Sequence, residues 1–180
     1  MEQKKQNIYL VRTGEVALKG LNKPYFERML LSGIKKALIA YDNIEAYRQE
    51  GLIFVKTPVE YDEEEIESKI LRVFGVASLS SAEEVPSDME VIGEAAGAYM
   101  KKLMASRNIR TFKVEAKRVD KMFPVESPQI ASRTGAAVLR ACGDDGLKVD
   151  VHEPDCVLYV NVRREKSYIF ADRIRGFGGL

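Results

Sequence analysis

The apolar positions fall into short runs separated by stretches of helical period. Residues 7–12 contain the run Ile8-Tyr9-Leu10-Val11, β-branched and aromatic in character and closed by Thr13-Gly14, which predicts a buried strand. After a long loop, Asn22 is placed to cap a helix, and Pro24 is tolerated in a first turn whose N–H groups have no intrahelical partner. Phe26, Leu30, Ile34 and Leu38 then recur every four residues, so an amphipathic helix is expected to about residue 40. Residues 44–49 and 52–56 flank Glu50-Gly51, where glycine can take the positive φ of a tight hairpin. Asp62 to Glu65 suit the positive end of a helix dipole; Ile66, Ile70 and Val73 follow at helical spacing, and Gly75 ends the segment. With a strand over 76–81 the order is βαββαβ, a ferredoxin-like arrangement.

Beyond it, Ser87 and Glu90 form a capping-box pattern that opens a helix bearing Val91, Ala95, Ala98, Leu103 and Met104, to about residue 107. Residues 111–118 alternate Phe112, Val114 and Ala116 with Lys113, Glu115 and Lys117, a strand with one wet face. Ser127-Pro128 begins a helix with Ile130, Ala137 and Val138 inside, ending near Cys142-Gly143. Strands are expected over 149–151, 157–163 and 167–171, the last two joined at 164–166. The fold class is α+β, with an N-terminal ferredoxin-like domain over 1–75 and an α/β domain over 76–175. No repeat, low-complexity tract or Pro-rich linker is present, so a tight joint is expected over 75–86.

Composition narrows the class. A chain of 180 residues, 46% hydrophobic and 31% charged, holds one full-sized or two small domains and is neither disordered nor membrane-embedded in character. Lys plus Arg number 28 against 27 Asp plus Glu, a net charge of +1, so any nucleic acid must bind a local patch. Two cysteines, Cys142 and Cys156, with the single His152 supply neither a disulfide framework nor a closed zinc site, which points to a reducing compartment. The polar start and the brevity of the run after it match neither a signal peptide nor a membrane span, so a cytoplasmic location is expected.

Catalytic constellations are missing from the sequence: it has no Gly-x-x-x-x-Gly-Lys loop, no nucleophile elbow, no paired metal ligands, and a histidine without a neighbouring partner. No catalytic and no metal residue is assigned. His152 reads as a capping or packing residue, the cysteines as small buried hydrophobes, Asp144-Asp145 and the 62–65 acids as solvated caps, and Met100 with Met104 as core filling. The charge pattern says more. Residues 107–121 carry six bases (Arg107, Arg110, Lys113, Lys117, Arg118, Lys121) against two acids, and 163–175 carry five (Arg163, Arg164, Lys166, Arg173, Arg175) against two. Clustered cations bind phosphates by releasing counterions, and Phe123 and Phe177 are candidate stacking surfaces beside them. A solvated strand face accounts for the same pattern. The loop Arg12 to Gly20, glycine at both ends with two cations, suits contact with a phosphate or a neighbouring domain.

Four strings, in order along the chain, resemble one family: Arg12-Thr13-Gly14-Glu15 with Leu18-Lys19-Gly20-Leu21-Asn22; Ala116-Lys117-Arg118-Val119-Asp120-Lys121-Met122-Phe123-Pro124; Val149-Asp150-Val151-His152-Glu153-Pro154-Asp155; and Arg173-Ile174-Arg175-Gly176-Phe177-Gly178-Gly179-Leu180. The family is that of the tRNA sulfurtransferases, which make 4-thiouridine in tRNA and are linked to sulfur supply for thiamine synthesis. The resemblance implies that the second domain is a THUMP module, and that the two domains together hold the tRNA acceptor stem and its single-stranded 3′ end, positioning the target uridine. It also implies that residues 176–180 lead to an absent PP-loop domain, in cis or on a separate chain, which alone would use ATP and magnesium. This chain is then expected to need no cofactor and to be inactive by itself. Carried over on the matching motifs, the RNA-binding candidates are Lys117, Arg118, Lys121, Phe123, Arg133, Arg173 and Arg175, with Lys19 and Arg12 facing either RNA or the catalytic domain. A cysteine desulfurase, reached through the full-length enzyme, and a second copy of the chain are further expected partners; a membrane is not. Two other readings stand beside this one: a ligand-binding or dimerising scaffold of ferredoxin-like domains, and the RNA-binding part of a THUMP methyltransferase or deaminase.

Overall fold

The computed structural model describes residues 5–13, 22–49 and 52–171, together with the backbone of 174–175. The expected hairpin turn at Glu50-Gly51, the Arg12 to Gly20 loop beyond Thr13, and Phe177 lie outside the described residues. The chain divides into two compact units, Met1–Ser81 with Arg173–Leu180, and Ala82–Asp172.

In the first unit, strand β1 (Gln6–Thr13) leads to helix α1 (Lys23–Ala37), then β2 (Glu45–Gln49), β3 (Leu52–Pro58), α2 (Glu63–Leu71) and the first half of β4 (Val76–Pro86). The strand order is β2-β3-β1-β4, with β3 antiparallel to both β1 and β2 and with Leu10 opposite Phe54. The βαββαβ order is as the hydrophobic pattern predicts. On one face Tyr9, Val11, Ile53 and Val55 meet Leu30, Ile34 and Leu38 and Ile66 and Ile70 of α2. Ile8, Leu10 and Phe54 are also buried, which is why these strands read as continuous apolar runs rather than alternating ones. Of the four-residue series on α1, Leu30, Ile34 and Leu38 enter the core whereas Phe26 stays 40% exposed. Asp62 caps α2 by accepting the N–H of Glu64, followed by Glu63 to Glu65 in the first turn. Gly75, at φ 97°, makes the turn into β4 in a conformation that few other residues adopt. Strand β4 runs eleven residues, longer than the sequence suggested. A short strand not foreseen from sequence, β9 (Ile174–Arg175), pairs with Ser78 and Leu79.

The second unit holds helix α3 (Met89–Ser106), β5 (Thr111–Arg118), α4 (Ser127–Cys142), a short 3-10 turn (Gly143–Asp145), β6 (Lys148–Val149), β7 (Cys156–Val162) and β8 (Lys166–Phe170). Its strands run in the order β4-β8-β7-β5-β6; β5 is parallel to β7 and β6, and the other neighbours are antiparallel. Phe112, Leu158, Val160, Ile92, Met100, Ile130 and Val138 form its core, each buried at about 1.5–3 kcal/mol for the larger side chains. Two local expectations change. The cap of α3 is Asp88, whose carboxylate accepts the N–H groups of Glu90 and Val91, while Ser87 Oγ donates to the carbonyl of Arg163 and bonds Ser167. Both residues are good caps by chemistry, and the pairing of β4 with β8 draws Ser87 away. The strand expected over 149–151 shrinks to Lys148–Val149, because the Asp150 carboxylate accepts the N–H groups of His152 and Glu153 and bends the chain.

Helices α3 and α4 approach closely through small residues. A Cβ built on Gly97 would stand 2.8 Å from Cβ of Ala141, and one on Gly93 would stand 3.0 Å from Cβ of Ala137. No helix among the described residues is long and apolar enough to cross a membrane.

Candidate nucleic-acid interface

The 116–124 string becomes the end of β5 and the turn into α4. Strand β5 puts Phe112 in the core and half-buries Val114 and Ala116, leaving Lys113, Glu115 and Lys117 on the opposite face. Lys113 is neutralised by Glu115 at 2.9 Å, whereas Lys117 is exposed and has no ion-pair partner among the described residues. Past the strand end the backbone stays tied to the same neighbour, the N–H groups of Val119 and Asp120 both donating to the carbonyl of Val162. Asp120 then organises a turn, its carboxylate accepting the N–H of Met122 at 3.0 Å and its carbonyl that of Phe123 at 3.2 Å. The Arg118 guanidinium donates to the carbonyl of Phe123, and the Arg118 N–H donates to Ser127 Oγ at the start of α4. Arg118 is therefore half-buried and fastens the turn, while Lys121 stands exposed on it.

Phe123, expected as a stacking platform, is 8% exposed and belongs to the hydrophobic core with Val125. A free aromatic face at this position would forgo apolar burial that the β5–α4 turn can supply, so the ring anchors the turn inward. The sequence did not separate these outcomes, since a Phe beside lysines suits either.

Helix α4 carries no acidic residue. Arg133 is exposed on it, and so is Arg140, which the sequence reading did not single out. Seven residues apart, they lie about 10 Å from each other along the helix and share one wall of a shallow groove between α3 and α4, with Ala136 between them and Glu90 and Glu94 on the other wall. The run of 16 residues with two arginines on one face and no acid was the signal that would have found Arg140.

The other candidates divide. Arg12, half-buried on β1 in the first unit, donates to Ser80 Oγ at 3.1 Å. Arg175 is described only as a backbone partner of Ser78 in β9, and Lys19 and Arg173 lie outside the described residues. In the second basic stretch Arg163 is buried and donates to Asn161 Oδ1, and Lys166 pairs with Glu84 at 2.9 Å, which leaves Arg164 exposed. Lys117, Arg118, Lys121 and Phe123 are brought together by one turn, with Arg133 on the helix it opens.

The 149–155 string is explained by backbone chemistry. Asp155 accepts the N–H groups of Arg110 and Thr111 at 2.9 and 3.1 Å, and its own N–H donates to Thr111 Oγ1, a reciprocal clamp between the entries of β5 and β7. These hydrogen bonds hold its carboxyl below the ordinary aspartate range; Asp150 is lowered in the same way by the N–H groups of Glu153 and His152. His152 is exposed. Burial pushes the thiols of Cys142 and Cys156 up, so they stay protonated and poorly nucleophilic. Among the described residues no group of three or more His, Cys, Asp or Glu side chains is placed to hold a metal ion.

Fold and surface together define a ferredoxin-like domain followed by a THUMP domain: residues 8–80 match the family model of the ThiI ferredoxin-like domain, and residues 86–172 match that of the THUMP domain. The chain belongs to the tRNA sulfurtransferase family, of which it carries the N-terminal ferredoxin-like and THUMP portion. It is 39% identical over 175 residues to a probable tRNA sulfurtransferase of Alkaliphilus metalliredigens and 41% identical over 175 residues to one of Caldanaerobacter subterraneus. Each match covers 97% of this chain and 44% of the relative, so the chain spans less than half the length of these proteins. Among solved structures, a 4-thiouridine synthetase in complex with RNA and bound ATP is 31% identical, with a TM-score of 0.81 over 97% of this chain and 43% of that one. TrmN of Thermus thermophilus, 22% identical with a TM-score of 0.62, shares the fold.

Proposed function

We propose that this chain is the tRNA-binding portion of a tRNA sulfurtransferase that makes 4-thiouridine, recognising the acceptor stem and single-stranded 3′ end and presenting the target uridine to an ATP-dependent portion of the enzyme. The observation that carries the reading is the β5–α4 turn: a hydrogen-bonded scaffold, within the THUMP-matching region, that holds Lys121 exposed and unpaired between the end of β5, where Lys117 is exposed, and the acid-free helix that bears Arg133 and Arg140. Similarity to a chain crystallised with RNA supports it. The chemistry is suitable, because A-form RNA hides its major groove and is read through phosphates, shape and exposed ends. A net charge of +1 is no obstacle, because a few exposed cations suffice for local phosphate contacts.

Titration with a labelled acceptor-stem hairpin, with and without its unpaired 3′ end and at two salt concentrations, tests the reading. Salt-sensitive binding that weakens when the end is removed supports it. Indifference to the end reduces the activity to general phosphate affinity, and no binding at low salt refutes it for this chain.

A further inference from the structure

Met122 is 88% exposed, more than the other large hydrophobic residues recorded as exposed among those described. Its exposure is built rather than incidental to a loose loop. On one side Val119 and Asp120 are tied to the Val162 carbonyl; on the other Phe123 and Val125 are buried in the core. Between these anchors the Met122 N–H is taken by the Asp120 carboxylate, and the Arg118 guanidinium closes the turn on the carbonyl of Phe123. Two neighbouring apolar residues are thus drawn inward while the third is turned out at a backbone position fixed from both sides. Lys121 adjoins it, and Lys117, five residues earlier, is the penultimate residue of β5; both are exposed.

We propose that Met122 is the apolar platform against which an unpaired base of the bound RNA rests, with Lys117 and Lys121 holding the phosphates that flank that base. The assignment rests on the tRNA-binding reading above and deepens it. A base presents a flat π-face that gains from a polarisable thioether, and methionine adapts its three torsions to whichever base arrives. Stacking of this kind is sequence-tolerant, and the cations give it register along the strand. Phe123, the aromatic residue next in sequence, has its ring committed to the core and leaves this role to its neighbour.

The test uses the whole 180-residue chain with two hairpins, one ending flush and one carrying an unpaired 3′ tail. Met122→Ser is expected to lose three- to ten-fold in affinity for the tailed hairpin, to bind the flush hairpin as before, and to keep the salt slope of the unsubstituted chain. Met122→Leu is expected to retain most of the tail-dependent affinity. A second readout needs no variant: tailed RNA should slow peroxide oxidation of Met122 to the sulfoxide, followed by mass spectrometry, while Met29, 54% exposed in the first unit, oxidises at an unchanged rate. Equal tail dependence in the unsubstituted chain and Met122→Ser, or no protection by tailed RNA that is demonstrably bound, overturns the assignment and leaves RNA binding intact. Absence of binding to either hairpin overturns the underlying reading as well.

Discussion

The guanidinium of Arg118 donates a 3.0 Å hydrogen bond to the main-chain carbonyl of Phe123, five residues on. This contact separates two cations that the sequence presents as equivalent. Arg118 supports the turn on which Lys121 stands, so replacing it should act through folding as well as charge. Arg118→Ala is expected to lower stability by about 1 kcal/mol, the usual worth of a partly buried hydrogen bond. Lys121→Ala should leave the unfolding free energy within about 0.5 kcal/mol of the original, as for a surface position. Chemical denaturation of the two variants checks this, and equal midpoints would show that the Arg118 contact contributes nothing to the turn.

If the proposed function holds, phosphate binding should depend on two exposed pairs of cations, Lys117 and Lys121 at the end of β5 and on the turn after it, and Arg133 and Arg140 on α4. The double variants Lys117→Gln with Lys121→Gln, and Arg133→Gln with Arg140→Gln, should each weaken binding of a tRNA acceptor hairpin several-fold and reduce the magnitude of the salt slope by about 1–2. Lys35→Glu with Lys36→Glu, on the exposed side of α1 in the first unit, should change neither quantity beyond a small long-range effect. A loss from the α1 pair as large as from the others would move the interface.

The close approach of α3 and α4 leaves no room for a side chain at Gly97, where a Cβ would already stand 2.8 Å from that of Ala141. Leucine is a far better helix former than glycine, yet Gly97→Leu should destabilise the second unit by about 1–3 kcal/mol, because overpacking outweighs the propensity gain of about 0.8 kcal/mol. Gly143 has nothing within 4 Å of its built Cβ and a right-handed backbone. Gly143→Ala should therefore be neutral or stabilising by up to about 1 kcal/mol. Thermal unfolding of both variants decides between packing and propensity.

Cys142 and Cys156 are buried, and desolvation raises both thiols above their ordinary range. In the native protein they should react with a thiol reagent much more slowly than after unfolding in denaturant, at neutral pH. Rapid modification of both without loss of structure would show that these sites open locally.

The element order was legible because each element carries its own period: the continuous run at Ile8 to Val11, the four-residue series Leu30, Ile34 and Leu38, and the alternation from Phe112 to Lys117. Helix and strand identities followed, and two of the strings that carry the family resemblance, 116–124 and 149–155, are a turn and a clamp in the structure. What the sequence could not resolve were choices between chemically similar neighbours. Ser87 and Asp88 both suit a cap, and only the pairing of β4 with β8 decides which is used. Phe123 and Met122 are both apolar, and the inward anchoring of the turn decides that the ring expected as a platform is the one buried. Arg163, Lys166 and Arg164 look alike in sequence, yet one is buried against Asn161, one is paired with Glu84 and one is exposed. Long-range pairing settles Ser87 and Lys166, through β8 and Glu84, and burial in the core settles Phe123; no local pattern encodes these.

Asp155 links the starts of β5 and β7 through the N–H groups of Arg110 and Thr111, and the charge of its carboxylate strengthens both bonds. Those bonds lower its folded-state pKa below the ordinary aspartate range. For a carboxyl shifted down, the stabilisation is fully present above the unfolded-state pKa and disappears as pH falls through the folded one. Asp155→Asn keeps the shape of the side chain and removes the charge, so it should melt below the unsubstituted chain at pH 7. The gap should narrow as pH is lowered from the ordinary aspartate range downward, where the native carboxyl itself becomes protonated. Asp150→Asn should behave in the same direction, through the N–H groups of Glu153 and His152. Melting temperatures of the three proteins across this acidic range check the argument, and a gap that stays constant with pH would assign the effect to shape rather than charge.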